Sequence, residues 1–128
     1  MGAVSSGYFA GMTARVLAVA VDCADAEALA DFWRRVLGTA PPRRWPEADG
    51  LTYVELPGDP TLVFQPVPEV KSGKNRLHLD IAPAEGGRDA EVERLVGLGA
   101  RVLANDERHP WTVLADPEGN EFCVLPAP

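Results

Sequence analysis

From Val16 to Asp22 large and small residues alternate, so Leu17, Val19 and Val21 share one face and Ala18, Ala20 and Asp22 the other. That period predicts a strand with a small-residue face. The spacing then changes. Leu29, Phe32, Trp33, Val36 and Leu37 recur every three or four positions, behind an Asp25 suited to cap a helix and ahead of a Gly38 suited to stop one. Pro41 to Pro46 is too proline-rich for a central strand and predicts a short edge strand or loop. Leu51 to Leu56 and Thr61 to Gln65 flank Pro57-Gly58-Asp59-Pro60 and predict a hairpin.

About 60 positions later the pattern repeats. Leu77-His78-Leu79-Asp80-Ile81 answers Leu17-Ala18-Val19-Ala20-Val21, and Leu98-Gly99 answers Leu37-Gly38 with a one-residue slip. Thr112-Val113-Leu114 answers Thr52-Tyr53-Val54, and Val124-Leu125-Pro126 answers Phe64-Gln65-Pro66. The second copy predicts a strand over Arg76 to Ala82, a helix over about Arg88 to Leu98, a strand over Arg101 to Ala104, and a hairpin of Trp111 to Ala115 with Glu121 to Leu125. The chain thus reads as α+β: two βαβββ modules in tandem, an internal duplication, forming a curved mixed sheet around one cleft with helices on the outer face. Module one covers 13–68, a linker of Pro, Lys, Ser and Gly character covers 69–74, and module two covers 75–128. Residues 1–12 are turn-rich without a period and read as a flexible N-terminal arm. Two copies are too few for a solenoid, which needs three or more repeats to bury a continuous core.

Alternation also assigns faces. Leu77, Leu79, Ile81, Phe122 and Val124 are expected against a helix, whereas His78, Asp80, Glu121, Cys123 and Leu125 point the other way. Their counterparts in the first copy are Ala18, Ala20, Val63 and Gln65. The polar side chains therefore gather on the concave face.

With 46% hydrophobic residues, the chain of 128 can support one compact core. Its net charge of -7 opposes a phosphate backbone, and no basic run suggests nucleic-acid binding. No stretch of about 20 apolar residues suggests a membrane span. Two cysteines, Cys23 and Cys123, without a secretory pattern fit reduced thiols and a cytoplasmic location.

Four segments resemble the vicinal oxygen chelate superfamily, the glyoxalase, bleomycin resistance and dioxygenase type, most closely its small glyoxalase-like domains. They are Asp22-Cys23-Ala24-Asp25 with Ala30-Asp31-Phe32-Trp33 and Leu37-Gly38; Asn75-Arg76-Leu77-His78-Leu79-Asp80; Leu98-Gly99-Ala100; and Asp116-Pro117-Glu118-Gly119-Asn120-Glu121-Phe122. The resemblance covers about residues 14 to 126 and implies the fold more strongly than any chemistry. Metal-using relatives place one ligand on each of four strands, and those positions fall here on Ala18, Val63, His78 and Cys123. Ala18 and Val63 have no donor atom, so the resemblance implies no metal and no other cofactor; were a metal bound, its ligands would be His78, Cys123 and Glu121. Sulfur with imidazole suits zinc better than a hard cation.

Two functional classes follow. One is a metal-independent isomerase or lyase acting by proton transfer at a carbonyl compound, with His78, Glu121 and Asp80 as its catalytic groups. The other is a non-catalytic binder of a small molecule or antibiotic, of the bleomycin-resistance type. In either, Ala18, Ala20, Val63, Gln65, Trp111 and Cys123 are expected to contact the ligand, with tryptophan supplying a stacking surface. Trp33 lies on the helical apolar stripe and is expected in the core. Exposed edge strands, and pairing among the proteins the chain resembles, lead to the expectation of a homodimer.

Overall fold

The computed structural model of the chain describes residue 11 and residues 13–128. The expected arm over 1–12 thus lies, Gly11 apart, outside the described residues. Contacts divide the chain into two compact units, the first ending at Pro68 and the second starting at Glu69.

In the first unit the order is β1 (Val19–Cys23), α1 (Ala26–Leu37), β2 (Arg43–Pro46), β3 (Thr52–Leu56) and β4 (Leu62–Pro66). The four strands form one sheet in the order β1-β4-β3-β2, with β1 parallel to β4 and the other pairs antiparallel. The Asp25 carboxylate accepts the Ala28 N–H at 3.0 Å, and Gly38 takes the left-handed conformation at φ 66° as it ends α1. Between these caps α1 buries Ala26, Leu29, Ala30, Phe32, Trp33 and Val36 and packs against β3 and β4. Phe32 and Trp33 meet edge to face at 5.3 Å. Full burial of side chains this large is worth ~1.5–3 kcal/mol each, so this stripe holds the helix to the sheet. The proline-rich segment forms edge strand β2, where Pro46 needs no ladder donor.

The second unit repeats the plan: β5 (Asp80–Ile81), α2 (Arg88–Leu98), β6 (Arg101–Ala104), β7 (Thr112–Ala115) and β8 (Glu121–Val124). Its sheet order is β5-β8-β7-β6, again with one parallel pair, β5 with β8. The core here is built from Leu95, Leu114, Phe122 and Val124, all 1% exposed or less. No helix among the described residues is long and apolar enough to cross a membrane.

Two strands are shorter at their N-terminal ends than alternation predicts. The strand expected from Val16 starts at Val19, and that expected from Arg76 is reduced to Asp80–Ile81. Register sets an outer limit for each, although His78 and Leu79, opposite Glu121 and Phe122 of β8, also fall outside β5. Extending the register of β1 on β4 backwards sets Leu17 against Pro60, in the Pro57–Pro60 turn; extending β5 on β8 sets Leu77 against Asn120, in the Asp116–Asn120 turn. A turn offers no ladder to pair with, so the chain leaves the sheet there. Leu17 and Leu77, expected to pack on helices, are instead 56% and 86% exposed. Leu79 and Ile81 keep their face but are only half-buried.

Candidate functional site

The β7–β8 turn fixes the geometry of the second unit's exposed sheet face. Asp116 is buried, and its carboxylate accepts the backbone N–H groups of Glu118 and Asn120 at 2.9 and 3.0 Å and the Asn120 side-chain amide at 3.0 Å. Gly119 takes φ 88°, a value that favours glycine. The strand that emerges donates Cys123 N–H to Leu79 O at 2.9 Å and Leu125 N–H to Ile81 O at 2.8 Å, which sets Cys123 beside Asp80. Because Phe122 and Val124 point into the core, Glu121, Cys123 and Leu125 point out of it.

These three line a cavity of about 500 Å³ with His78 and Asp80 from β5 and its approach. Val113, the register partner of Cys123 on β7, adds an apolar wall, and Lys74 and Trp111 complete it. Expectation and structure agree in bringing His78, Asp80, Glu121, Cys123 and Trp111 around one space. Lys74 and Val113 were not anticipated. Val113 was legible, since alternation along β7 places it on the Cys123 face; a lysine in a linker carried no such signal.

Of the two carboxylates expected to act with His78, it is Asp80 that meets it. His78 Nδ1 lies 2.9 Å from Asp80 Oδ1. An ionised carboxylate only accepts, so Nδ1 is the donor of this bond, and Nε2 has no hydrogen-bond partner among the described residues. Glu121, the other expected catalytic carboxylate, turns to the linker instead: its Oε1 pairs with Lys71 Nζ at 2.9 Å and its Oε2 accepts the Asn75 N–H at 3.0 Å. The Lys71 ammonium, aided by that amide, holds the Glu121 carboxyl below the usual glutamate range despite its burial. Such a group is a weak base and is already committed. Cys123 is half-buried and free of disulfide, as is the buried Cys23. Burial, with the negative charge of Asp80 and a hydrogen bond to it, pushes the Cys123 thiol up, so it stays protonated and unreactive.

Trp111 presents a second kind of surface. Its indole stacks on the His109 ring with centroids 4.4 Å apart and planes 7° apart. Arg88, at the start of α2, donates to the carbonyls of Pro110 at 3.1 Å and His109 at 3.5 Å and holds that segment. Trp111 also lines the cavity.

The remaining expected contact residues lie in the first unit. Ala18 precedes β1; Ala20 and Val63 are register partners across β1 and β4, and Gln65 pairs with Asp22. Val63 is 8% exposed. Trp45 sits on β2 and donates its indole N–H to Glu47 at 2.6 Å, while Trp33 is core as expected.

The four-ligand metal site implied by the resemblance does not fit this chain, because Ala18 and Val63 offer no donor. One ligand atom each from His78, Asp80 and Cys123 lies within 4.8 Å of the others, so Asp80 takes the place expected of Glu121 in that cluster. As the chain stands, Nδ1 donates to Asp80, and ligation by Cys123 would require release of the thiol proton.

A search of curated proteins returns no sequence match. Solved structures share the fold. A glyoxalase/bleomycin resistance protein/dioxygenase family enzyme from Burkholderia phytofirmans PsJN aligns at TM-score 0.64 and 18% identity, covering 88% of this chain and 98% of that one. The fosfomycin resistance protein FosX from Listeria monocytogenes aligns at TM-score 0.71 and 9% identity, covering 91% and 95%. TnmS3, an antibiotic binding protein from Streptomyces sp. CB03234, aligns at TM-score 0.65 and 22% identity, covering 91% and 98%. At such identities these likenesses speak for the fold alone. The family model of the glyoxalase-like domain matches residues 18–125, nearly the whole described chain and both copies of the repeat. With its tandem βαβββ units and that match, the chain belongs to the glyoxalase-like domain family of the vicinal oxygen chelate superfamily.

Proposed function

We propose that the chain binds a small organic molecule in the cavity between β5, β8 and β7, holding it by apolar and aromatic contact with a few polar anchors. The observation that carries this reading is the composition of the cavity wall. Trp111, Val113 and Leu125 supply apolar surface, Glu121 is neutralised by Lys71, and the Cys123 thiol is inert. What is left to recognise polarity is the His78–Asp80 pair and Lys74. Ligand sites are typically concave and largely apolar with a few placed polar groups, and about 300–1,000 Å³ in volume. Antibiotic binding and fosfomycin resistance among proteins of the same fold support the reading by analogy.

Fluorescence titration with 8-anilinonaphthalene-1-sulfonate tests it. Binding is expected for the native chain, with at least tenfold weakening in Val113→Phe or Leu125→Phe, either of which fills the cavity. Undiminished binding in both variants, with native circular dichroism, would place the probe elsewhere and contradict the proposal.

The His78–Asp80 hydrogen bond supports a second reading, metal-independent proton transfer at a carbonyl compound. A carboxylate on Nδ1 fixes the tautomer and stabilises the imidazolium formed when Nε2 takes a proton. Under this reading the protein accelerates deuterium exchange into dihydroxyacetone, and His78→Gln loses the acceleration. Exchange at the buffer rate counts against it.

A further inference from the structure

We infer that the cavity takes an organic monoanion, an apolar body carrying one carboxylate or sulfonate, with the anionic group seated at the Lys74 end. The inference rests on the binding role proposed above and names the charge of what enters. The chain as a whole is acidic, with a net charge of -7, yet this end of the cavity is not. Glu121 is the carboxylate there, with its side chain only 11% exposed. Its Oε1 pairs with Lys71 Nζ at 2.9 Å, and its Oε2 accepts the Asn75 N–H at 3.0 Å. One largely buried carboxylate thus ties down both ends of the segment from Lys71 to Asn75. Within that segment Lys71 also donates to the Gly73 carbonyl, and Gly73 turns the chain at φ 75°. Lys74, between the two tied points, lines the cavity.

Two ammonium groups therefore share one carboxylate, and Lys74 carries the charge left over. Its Nζ has no carboxylate ion-pair partner among the described residues; its one protein contact is the Asn75 carbonyl at 3.4 Å, a long hydrogen bond. The Lys74 charge reaches inward as far as Cys123, where it opposes the effect of burial and of Asp80 on the thiol. Asp80, the other carboxylate on the wall, pairs in register with Cys123, which stands two residues, about 7 Å, along β8 from Glu121. Its Oδ1 is already bonded to His78. An anion at the Glu121 end of the strand thus meets two ammonium groups against one carboxylate, with Asp80 farther along. Val113 and Leu125 offer the apolar body its surface. A neutral ligand in the same place would strip water from the Lys74 ammonium and supply no counter-charge, whereas an anion supplies one in a setting where water screens it less.

The test titrates the full chain with 2-naphthoate and 2-naphthamide, which share a body and differ in charge, at neutral pH and low salt. Expected is binding of the naphthoate at least about fivefold tighter than of the amide, the advantage of a charge-assisted hydrogen bond. Lys74→Gln should remove that advantage by weakening the naphthoate and leaving the amide unchanged; Lys74→Arg should keep it, and Val113→Phe should weaken both. If the amide binds as tightly as the naphthoate, or Lys74→Gln leaves the advantage intact, the charge assigned to the ligand is wrong while the cavity remains a binding site. If neither compound binds although 8-anilinonaphthalene-1-sulfonate does, and Lys74→Gln leaves that probe's affinity unchanged, the inference falls and the binding role stands; if that probe also fails to bind, both fall.

Discussion

Glu121 and Cys123 stand two residues apart on one face of β8, yet their surroundings move them in opposite directions. The Lys71 ammonium favours the charged form of Glu121, whereas burial and Asp80 favour the neutral form of Cys123. For Glu121 the consequence is a pH-dependent contribution to stability. A carboxyl whose folded value is depressed stabilises the fold above its unfolded value, near 4.5, and that contribution is lost as pH falls through the folded value. Urea unfolding should therefore show the native chain more stable than Glu121→Gln at pH 7. The difference should shrink steadily below about pH 4.5. A gap that is constant with pH would mean that the Lys71 pair contributes nothing. At this scale the sequence was only partly informative. Alternation put His78, Asp80, Glu121 and Cys123 on one face, but which carboxylate meets His78 depends on Lys71 and Asn75, in a linker without periodicity, reaching back to β8.

Among the elements, α1 and α2 show how much a helix owes to its stripe. Six residues of α1 are buried, whereas α2 buries Leu95 alone, and its N-cap Gly87 provides no side-chain bond. The first helix was legible from capping and spacing and the second from the repeat, and α2 matches its expected limits. The N-terminal limit of the first strand in each copy was not, since alternation does not say where pairing begins. A leucine pair separates the two situations. Leu95→Ala should cost about 2–5 kcal/mol, because a fully buried leucine leaves a cavity in the second unit. Leu77→Ala should change stability by less than ~0.5 kcal/mol, as expected of an exposed position. Equal and large losses in chemical denaturation would restore Leu77 to a packed strand and overturn the short β5.

Over the whole molecule, duplication produced two units of one topology and unequal chemistry. Both pair their first and last strands in parallel and close with an antiparallel hairpin. In the first unit the positions answering His78 and Asp80 are Ala18 and Ala20; in the second, an imidazole, a carboxylate, a thiol and an indole surround one cavity. The repeat itself was visible in the sequence because its signals are local: a period change, a glycine stop, a turn motif. The pairing of His78 with Asp80, the commitment of Glu121 and the place of Lys74 came only with three-dimensional register. The most direct test of the account is amide and indole chemical-shift mapping by NMR during titration with 8-anilinonaphthalene-1-sulfonate. The account predicts saturable shifts concentrated at His78, Asp80, Trp111, Val113, Cys123 and Leu125; shifts absent there, and confined to exposed apolar residues such as Val70 and Leu77 or to β1–β4, would contradict it.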